Sequence, residues 1–398
     1  MLELTQPINK TLLQKQHSEA PVEAKGKAIY SGTQRVCSPE DTLMRIRPLL
    51  TCFGITRIAD VTHLDDLGLP VVQVVRPNSR NLSVSQGKGS TKALAMVSAL
   101  MEAIELWHAE GPNLPVIWER IGVMQPQLPY SLYDLNLSEH HLLHDAMRLE
   151  WFPARVLGSA EETYVPADYV RLNFTLQQTW LPPTFSASSN GLASGNTYEE
   201  AILHGLYEVI ERDTLARASA GLLPSMLIDP KTVDGASSAP ILAQFSHAGA
   251  SLEIHGFSGP TGIACFEVHL SSPSYPTVMK GSGCHLDRDV ALSSALMEAA
   301  QVRLSVIAGA RDDIQHRAYT ELREMRTRSR VDEQRATADF HDIATVEKLE
   351  LCANLDMVIE RVRAVGTCPP LVVDLTRPKY TIPVVFVVVP QFRMVGGH

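Results

Sequence analysis

Ser98-Ala99-Leu100-Met101-Glu102-Ala103-Ile104-Glu105 is written again as His204-Gly205-Leu206-Tyr207-Glu208-Val209-Ile210-Glu211-Arg212, and a third time as Ser294-Ala295-Leu296-Met297-Glu298-Ala299-Ala300-Gln301-Val302-Arg303. Residues three apart share a helix face, so each phrase aims two polar heads one way from an otherwise apolar segment. A carboxylate set in an apolar helix costs free energy unless a cation or donor meets it. Heads that converge would make an oxygen-rich cage suited to Mg²⁺, and magnesium with arginines nearby points to a nucleoside triphosphate. Three helical phrases alternating with strand-like segments predict an α/β fold. It is read as a single unit of pseudo-repeated helix/strand blocks around mixed sheets.

The chain around the phrases fills in that plan. Ser38-Pro39-Glu40-Asp41 has the serine cap, first-turn proline and early acids that open a helix, here running to about Leu50. Residues 69–76 and 82–85 read as strands, and Gln86-Gly87-Lys88-Gly89-Ser90-Thr91 as a glycine-rich turn before a helix over 92–110. A polar loop over 186–197 leads into a helix over 198–219, with Thr197 and Glu200 spaced as a capping box. Residues 263–270 and 277–281 read as strands, and 281–285 as the approach to a third helix over 290–309. The charged segment 311–345 is expected to form a lid or loop. A helix over 346–365 should end at Gly366, and strands over 371–375 and 383–389 should close the chain, the last one central because its apolar run is almost unbroken. Residues 1–27 read as a polar arm and 28–398 as one domain.

Composition excludes several classes. The 398 residues are 45% hydrophobic and 20% charged, as in ordinary globular proteins, and the net charge of −9 argues against a nucleic-acid binder gripping phosphates. No stretch reaches membrane-spanning length and the N-terminus has no apolar signal core, so no membrane partner is expected. Six cysteines without a Cys-x-x-Cys pair read as reduced thiols in a cytoplasmic protein. Gly87-Lys88-Gly89-Ser90-Thr91 is not a P-loop, no Gly-x-Gly-x-x-Gly follows a strand, and no Gly-x-Ser-x-Gly elbow is present. His285, alone before the third helix, fits a structural role better than a catalytic one.

Glu102 and Glu105 sit among Ala99, Leu100, Met101, Ala103, Ile104 and Leu106 with no lysine four residues on, which disfavours a simple solvated face. Asn196, Glu200, Glu208, Glu211 and Arg212 form the richest cluster, near one face of the second helix. A structural ion-pair network is the alternative reading of that cluster.

At these residues the chain resembles the YcaO family of ATP-dependent enzymes that modify peptide backbone amides. The matching pieces are Ser85–Gly89, Ser98–Glu105, Asn190–Ala201, Leu206–Arg212, Gly283–His285, Ala295–Arg303 and the closing strand Val384–Pro390, together covering about residues 28–395. The resemblance implies a YcaO-type fold with ATP and Mg²⁺ as cofactors. It implies that Glu102, Glu105, Glu200, Glu208 and Glu211 hold Mg²⁺, with Glu102, Glu208 and Glu211 the residues on which catalysis depends. Arg35, Thr42, Asn196 and Arg212 would contact the nucleotide, with Gln301 and Arg303 as additions from the third phrase. Phosphorylation of an amide oxygen would activate the peptide bond. Sulfide would then give a thioamide, whereas a Cys, Ser or Thr side chain would give an azoline. The run Gly32–Arg35 with Gly54–Thr62 resembles members that work with a TfuA-like partner, and the C-terminus lacks the Pro-x-Pro-x-Pro tail typical of azoline-forming members. Thioamide formation in a ribosomally made peptide is therefore the expected activity, with a TfuA-like or an E1-like, leader-binding partner. An azoline-forming cyclodehydratase is the alternative within the family, and a non-catalytic peptide-binding scaffold the alternative outside it. Family members are often dimers, so the resemblance leaves a homodimer open without fixing the oligomeric state.

Overall fold

The computed structural model describes residues 28–30, 32–175, 183–275, 277–314, 338–346 and 350–394. The expected arm at 1–27 lies outside the described residues, as does 315–337 of the expected lid.

The described strands fall into four sheets, and every pairing between named strands is antiparallel. A ribbon of β1 (Ala28–Tyr30) and β2 (Thr33–Arg35) comes first. A three-stranded sheet follows, of β3 (Arg57–Asp60), β4 (Val71–Val75) and β5 (Val84–Lys88). The largest sheet has the order β6-β7-β14-β15-β9, with β8 also paired to β7. Its members are β6 (Ile117–Arg120), β7 (Arg148–Val156), β8 (Glu162–Pro166), β9 (Leu192–Ser194), β14 (Leu371–Asp374) and β15 (Val384–Val388). The fourth is β10 (Met226–Ile228), β11 (Ser251–Ser258), β12 (Ala264–Ser271) and β13 (Met279–His285), in that order. Mixed sheets were the expectation. Among the described residues every ladder between named strands is antiparallel, and parallel pairing is confined to the isolated Ile228–Ala338 bridge.

The helices are α1 (Pro39–Ile46), α2 (Lys92–Glu110), two single turns α3 (Ile121–Met124) and α4 (Ala167–Val170), α5 (Tyr198–Ser219), α6 (Ser238–His247), α7 (Arg288–Ala308) and α8 (Leu351–Val365). The three phrases lie on α2, α5 and α7, and each helix anchors a different core. Leu100 and Ile104 of α2 pack with one face of the large sheet. Leu206 and Ile210 of α5 pack with its other face and α8. Leu292 and Leu296 of α7 pack on the β10–β13 sheet. Alternate residues of β15 divide between two cores: Val384, Phe386 and Val388 on one side, Val385 and Val387 on the other. A strand covered on both faces is why its sequence is apolar without interruption. Helix α7 is the one described helix long and apolar enough to cross a membrane, yet 72% of its apolar window is buried within the fold.

One expected turn, and the expected approach to α7, are strand. Gln86, Gly87 and Lys88 belong to β5, and Gly281–His285 to β13. A Cβ on Gly87 would stand 2.0 Å from the Ala99 nitrogen, and one on Gly281 2.1 Å from the Ala299 nitrogen. The glycines are there because strand and helix backbones touch, not because the chain turns. The polar loop before α5 likewise hides the short strand β9. Gly366 follows α8 with φ −100°, so it ends the helix in extended rather than left-handed conformation.

Candidate active site

Each phrase helix brings its polar face to one cleft of about 770 Å³, within the range of small-molecule sites. Glu102 and Glu105 come from α2, Glu208, Glu211 and Arg212 from α5, and Glu298 and Gln301 from α7. The glycine contacts seat α2 on β5 and α7 on β13, and this sets how deep the glutamates reach. Strand side chains meet them there. Lys88 Nζ on β5 lies 2.8 Å from Glu298 Oε2. Ser282 Oγ on β13 donates to Glu211 Oε1 at 2.6 Å, and Ser194 Oγ on β9 donates to Glu105 Oε1 at 2.5 Å. Backbone N–H groups of Gln86 and Gly191 donate to Glu102 (3.4 Å) and Glu208 (3.3 Å).

The carboxylates outnumber their cations. Burial pushes Glu102 up to about 7, against the pull of Arg311 and Lys88. Burial pushes Glu105 up to about 8 despite the Ser194 hydrogen bond, and the charges of Glu102 and Glu208 push the same way. Glu208 is raised to about 7 by burial, with Arg212 opposing and Glu211 adding repulsion. Glu211 is raised by burial and by Glu298. Desolvation pushes Glu298 up too, but Lys88 and Arg212 together hold it below the usual carboxylate range. Arg212 would lose basicity by burial, yet Glu211, Glu298 and Glu208 together raise it.

A second group forms the N-terminal wall. Glu200, 3% exposed, accepts from Arg35 Nη1 (3.3 Å), the Val36 N–H (3.2 Å) and Asn196 Nδ2 (3.3 Å). Asn196 Oδ1 accepts from Thr42 Oγ1 (2.9 Å) and Arg45 Nη2 (3.0 Å). Thr197 caps α5 by accepting from the Glu200 N–H at 3.2 Å, but the Glu200 carboxylate turns to Arg35 instead of completing a capping box.

Of the residues expected at the site, the structure brings Arg35, Thr42, Glu102, Glu105, Asn196, Glu200, Glu208, Glu211, Arg212 and Gln301 to the cleft wall. Glu200 differs from the other acids because protein donors already satisfy it. Arg303 is a correction: it points away and is 1% exposed. Its Nη2 lies 2.7 Å from Asp65 and 2.8 Å from Asp66, and its Nη1 donates to Ser272 at 2.6 Å. Two residues beyond Gln301 on a helix is about 200° around it, the opposite face. His285 reaches the wall too, where Nδ1 accepts from the Asp287 N–H at 3.0 Å and the ring lies 4.7 Å from that of Tyr207, tilted by 46°.

Lys88, Glu298, Ser282, Ser194 and Arg45 were not expected site residues. Glu298 had a signal, since it occupies in the third phrase the position of Glu102 and Glu208. Lys88 was quoted only as part of a turn, and nothing local marks the two serines.

The residues fit a divalent cation and a polyphosphate. Buried carboxylates with raised proton affinity are short of positive charge, which Mg²⁺ supplies through oxygen ligands. Gln86 Nε2 is enclosed without a hydrogen-bond partner among the described residues, so a donor is left for an added ligand.

The profile described as YcaO cyclodehydratase, ATP- and Mg²⁺-binding, matches residues 86–393. An uncharacterized protein of Mycobacterium tuberculosis is 40% identical over 290 residues, 72% of this chain and 65% of the relative's own length. An uncharacterized protein in the tfuA 3′ region of Rhizobium leguminosarum bv. trifolii is 32% identical over 381 residues, 90% of this chain and 89% of the relative. The structure of YcaO from Methanopyrus kandleri bound with AMPPCP and Mg²⁺ superposes with a TM-score of 0.74 at 24% identity, covering 92% of this chain and 94% of that one. The chain therefore belongs to the YcaO family, whose cofactors are ATP and Mg²⁺.

Proposed function

We propose that this protein activates a peptide backbone amide at the expense of ATP and installs a thioamide. The observation that carries the reading is the convergence of Glu102, Glu105, Glu208, Glu211 and Glu298 with Lys88 and Arg212 in one cleft. When bound, Mg²⁺-ATP supplies a phosphoryl group that turns an amide oxygen into a leaving group. Glu102, Glu105, Glu208 and Glu211 hold the cation, and Arg212 faces the phosphates. Arg35, Thr42, Asn196 and Gln301 position the nucleotide. Glu200 holds Arg35 and Asn196 in place, a role consistent with its filled hydrogen bonds. Sulfide adding at the activated carbon expels phosphate and leaves the thioamide.

Two features support sulfur over ring closure: the likeness of Gly32–Arg35 and Gly54–Thr62 to TfuA-associated members, and the relative encoded beside tfuA. A TfuA-like protein is the partner this reading requires. The profile's own description, a cyclodehydratase, favours azoline formation as the second reading.

Mass spectrometry separates them. The full chain would be incubated with Mg²⁺-ATP, sulfide, a TfuA-like protein and candidate peptides. Exchange of one oxygen for sulfur with ADP release is the expected result. Loss of one water from a Cys-, Ser- or Thr-containing peptide selects the azoline reading. Peptide binding without ADP release in any mixture identifies a scaffold and overturns both.

A further inference from the structure

The sheet face that carries Ser282 to the cleft holds a second polar group farther along. Glu253 and His255 lie two apart on β11, and His269 stands directly opposite Glu253 on β12. Glu253 Oε2 is 3.6 Å from His255 Nε2 and 3.6 Å from His269 Nδ1. The three donor atoms all lie within 4.8 Å of one another, and the imidazole centroids are 4.6 Å apart. At 3.6 Å these contacts are too long for hydrogen bonds. A tetrahedral cation with ligand bonds of about 2.0–2.1 Å spaces its donors about 3.4 Å apart, close to what is seen.

Two further observations point to a missing ligand. His255 Nε2 is enclosed and has no hydrogen-bond partner among the described residues, a costly arrangement for a ring nitrogen facing two polar neighbours. His269 is oriented from behind, its Nε2 lying 2.6 Å from Glu267 Oε1. Glu267 is fixed in turn by Lys280 Nζ at 3.1 Å. A carboxylate bound to the far nitrogen of an imidazole is the usual support of a metal-bound histidine. It leaves Nδ1 directed at Glu253. The Glu253 side chain is 37% exposed, so solvent can fill a remaining coordination position.

We propose that Glu253, His255 and His269 bind one divalent transition cation of the Zn²⁺ class, at a site separate from the acidic cleft. Two imidazoles and one carboxylate suit Zn²⁺ rather than Mg²⁺, which takes oxygen ligands. The strand pair positions all three ligands, so the ion would clamp β11 to β12.

The test uses the full chain, freed of metal by a chelator and titrated with Zn²⁺ alone. Expected are one tight Zn²⁺ per chain and a rise in melting temperature on binding. His255→Gln combined with His269→Gln should melt normally without metal and lose both effects. Glu267→Gln, which removes only the support, should weaken Zn²⁺ about tenfold or more. Co²⁺ used as a probe should give visible absorption bands that disappear in the double variant. Glu211→Gln should bind Zn²⁺ as the unaltered protein does. Zn²⁺ binding that survives the double histidine change, that is lost with Glu211→Gln or Cys265→Ser instead, or that does not occur at all, overturns the proposal.

Discussion

Lys88 Nζ on β5 stands 2.8 Å from Glu298 Oε2 on α7, so one ion pair joins the first strand–helix unit to the third. Each side chain is about a quarter exposed, 24% and 23%, at the cleft wall. The pair explains why Glu298 is held below the carboxylate range while Glu102 and Glu208 are pushed above it. Lys88→Met should leave the fold intact and lower ATP turnover. A charged hydrogen bond contributes about 1.5–3 kcal/mol, so the expected loss is about 10- to 100-fold. Lys88→Arg should recover part of it. Steady-state ADP release measures both.

Glu211→Gln keeps an oxygen to accept from Ser282 but removes a charge from the cation cage. ATP turnover should fall by about 10²-fold or more, with the melting temperature of the Mg²⁺-free protein unchanged or raised. Unaltered turnover in this variant would remove Glu211 from the site.

Acidity follows from the same crowding. Glu102, Glu105 and Glu208 sit at about 7, 8 and 7 in the folded chain, against 4.5 for a free glutamate. The folded form therefore binds more protons between those limits. Stability of the metal-free protein is greatest while these groups are protonated and falls as pH rises through 7 to 8. Mg²⁺ binds the ionised cage and displaces protons. Its affinity should rise from pH 6 to pH 8, and melting temperature should gain more from Mg²⁺ at pH 8 than at pH 6. Calorimetry in two buffers of different ionisation enthalpy would count the released protons, and zero release contradicts the burial argument.

Arg303 belongs to the fold. Its guanidinium is 2% exposed and pairs with an equally buried Asp65. Asp65→Ala removes the buried carboxylate and leaves Asp66 at 2.8 Å as the remaining acid, so denaturant unfolding should show a loss of about 1–3 kcal/mol. Nucleotide affinity of the folded fraction should stay the same. A selective loss of nucleotide binding would return Arg303 to the site.

Gly87→Ala tests the strand–helix contact. The added Cβ meets backbone of Ala95 and Ala99, which cannot move aside as a flexible side chain would. A loss of about 3 kcal/mol or more is expected, and Gly281→Ala should behave alike because it faces Ala295 and Ala299 in the same way. Chemical denaturation of the two variants provides the comparison.

The sequence by itself determined the three phrase helices and their polar faces, but not α6 (Ser238–His247). Apolar spacing with caps at Thr91 and Thr197 specifies α2 and α5 locally, since neighbours three and four apart settle a helix without reference to the rest of the chain. The repeated phrase was enough to nominate Glu102, Glu105, Glu208 and Glu211, because a buried acid without a local partner needs a distant one. What the tertiary structure decided is every partnership across layers. A glycine-rich segment reads as a turn until a helix backbone is found lying against it, as at Gly87. Gln301 and Arg303 read alike until one faces the cleft and the other faces Asp65. Lys88 meets Glu298 across 210 residues, and His269 meets Glu253 only through strand register. Long-range pairing depends on how sheets and helices stack, and no local window of sequence contains that information.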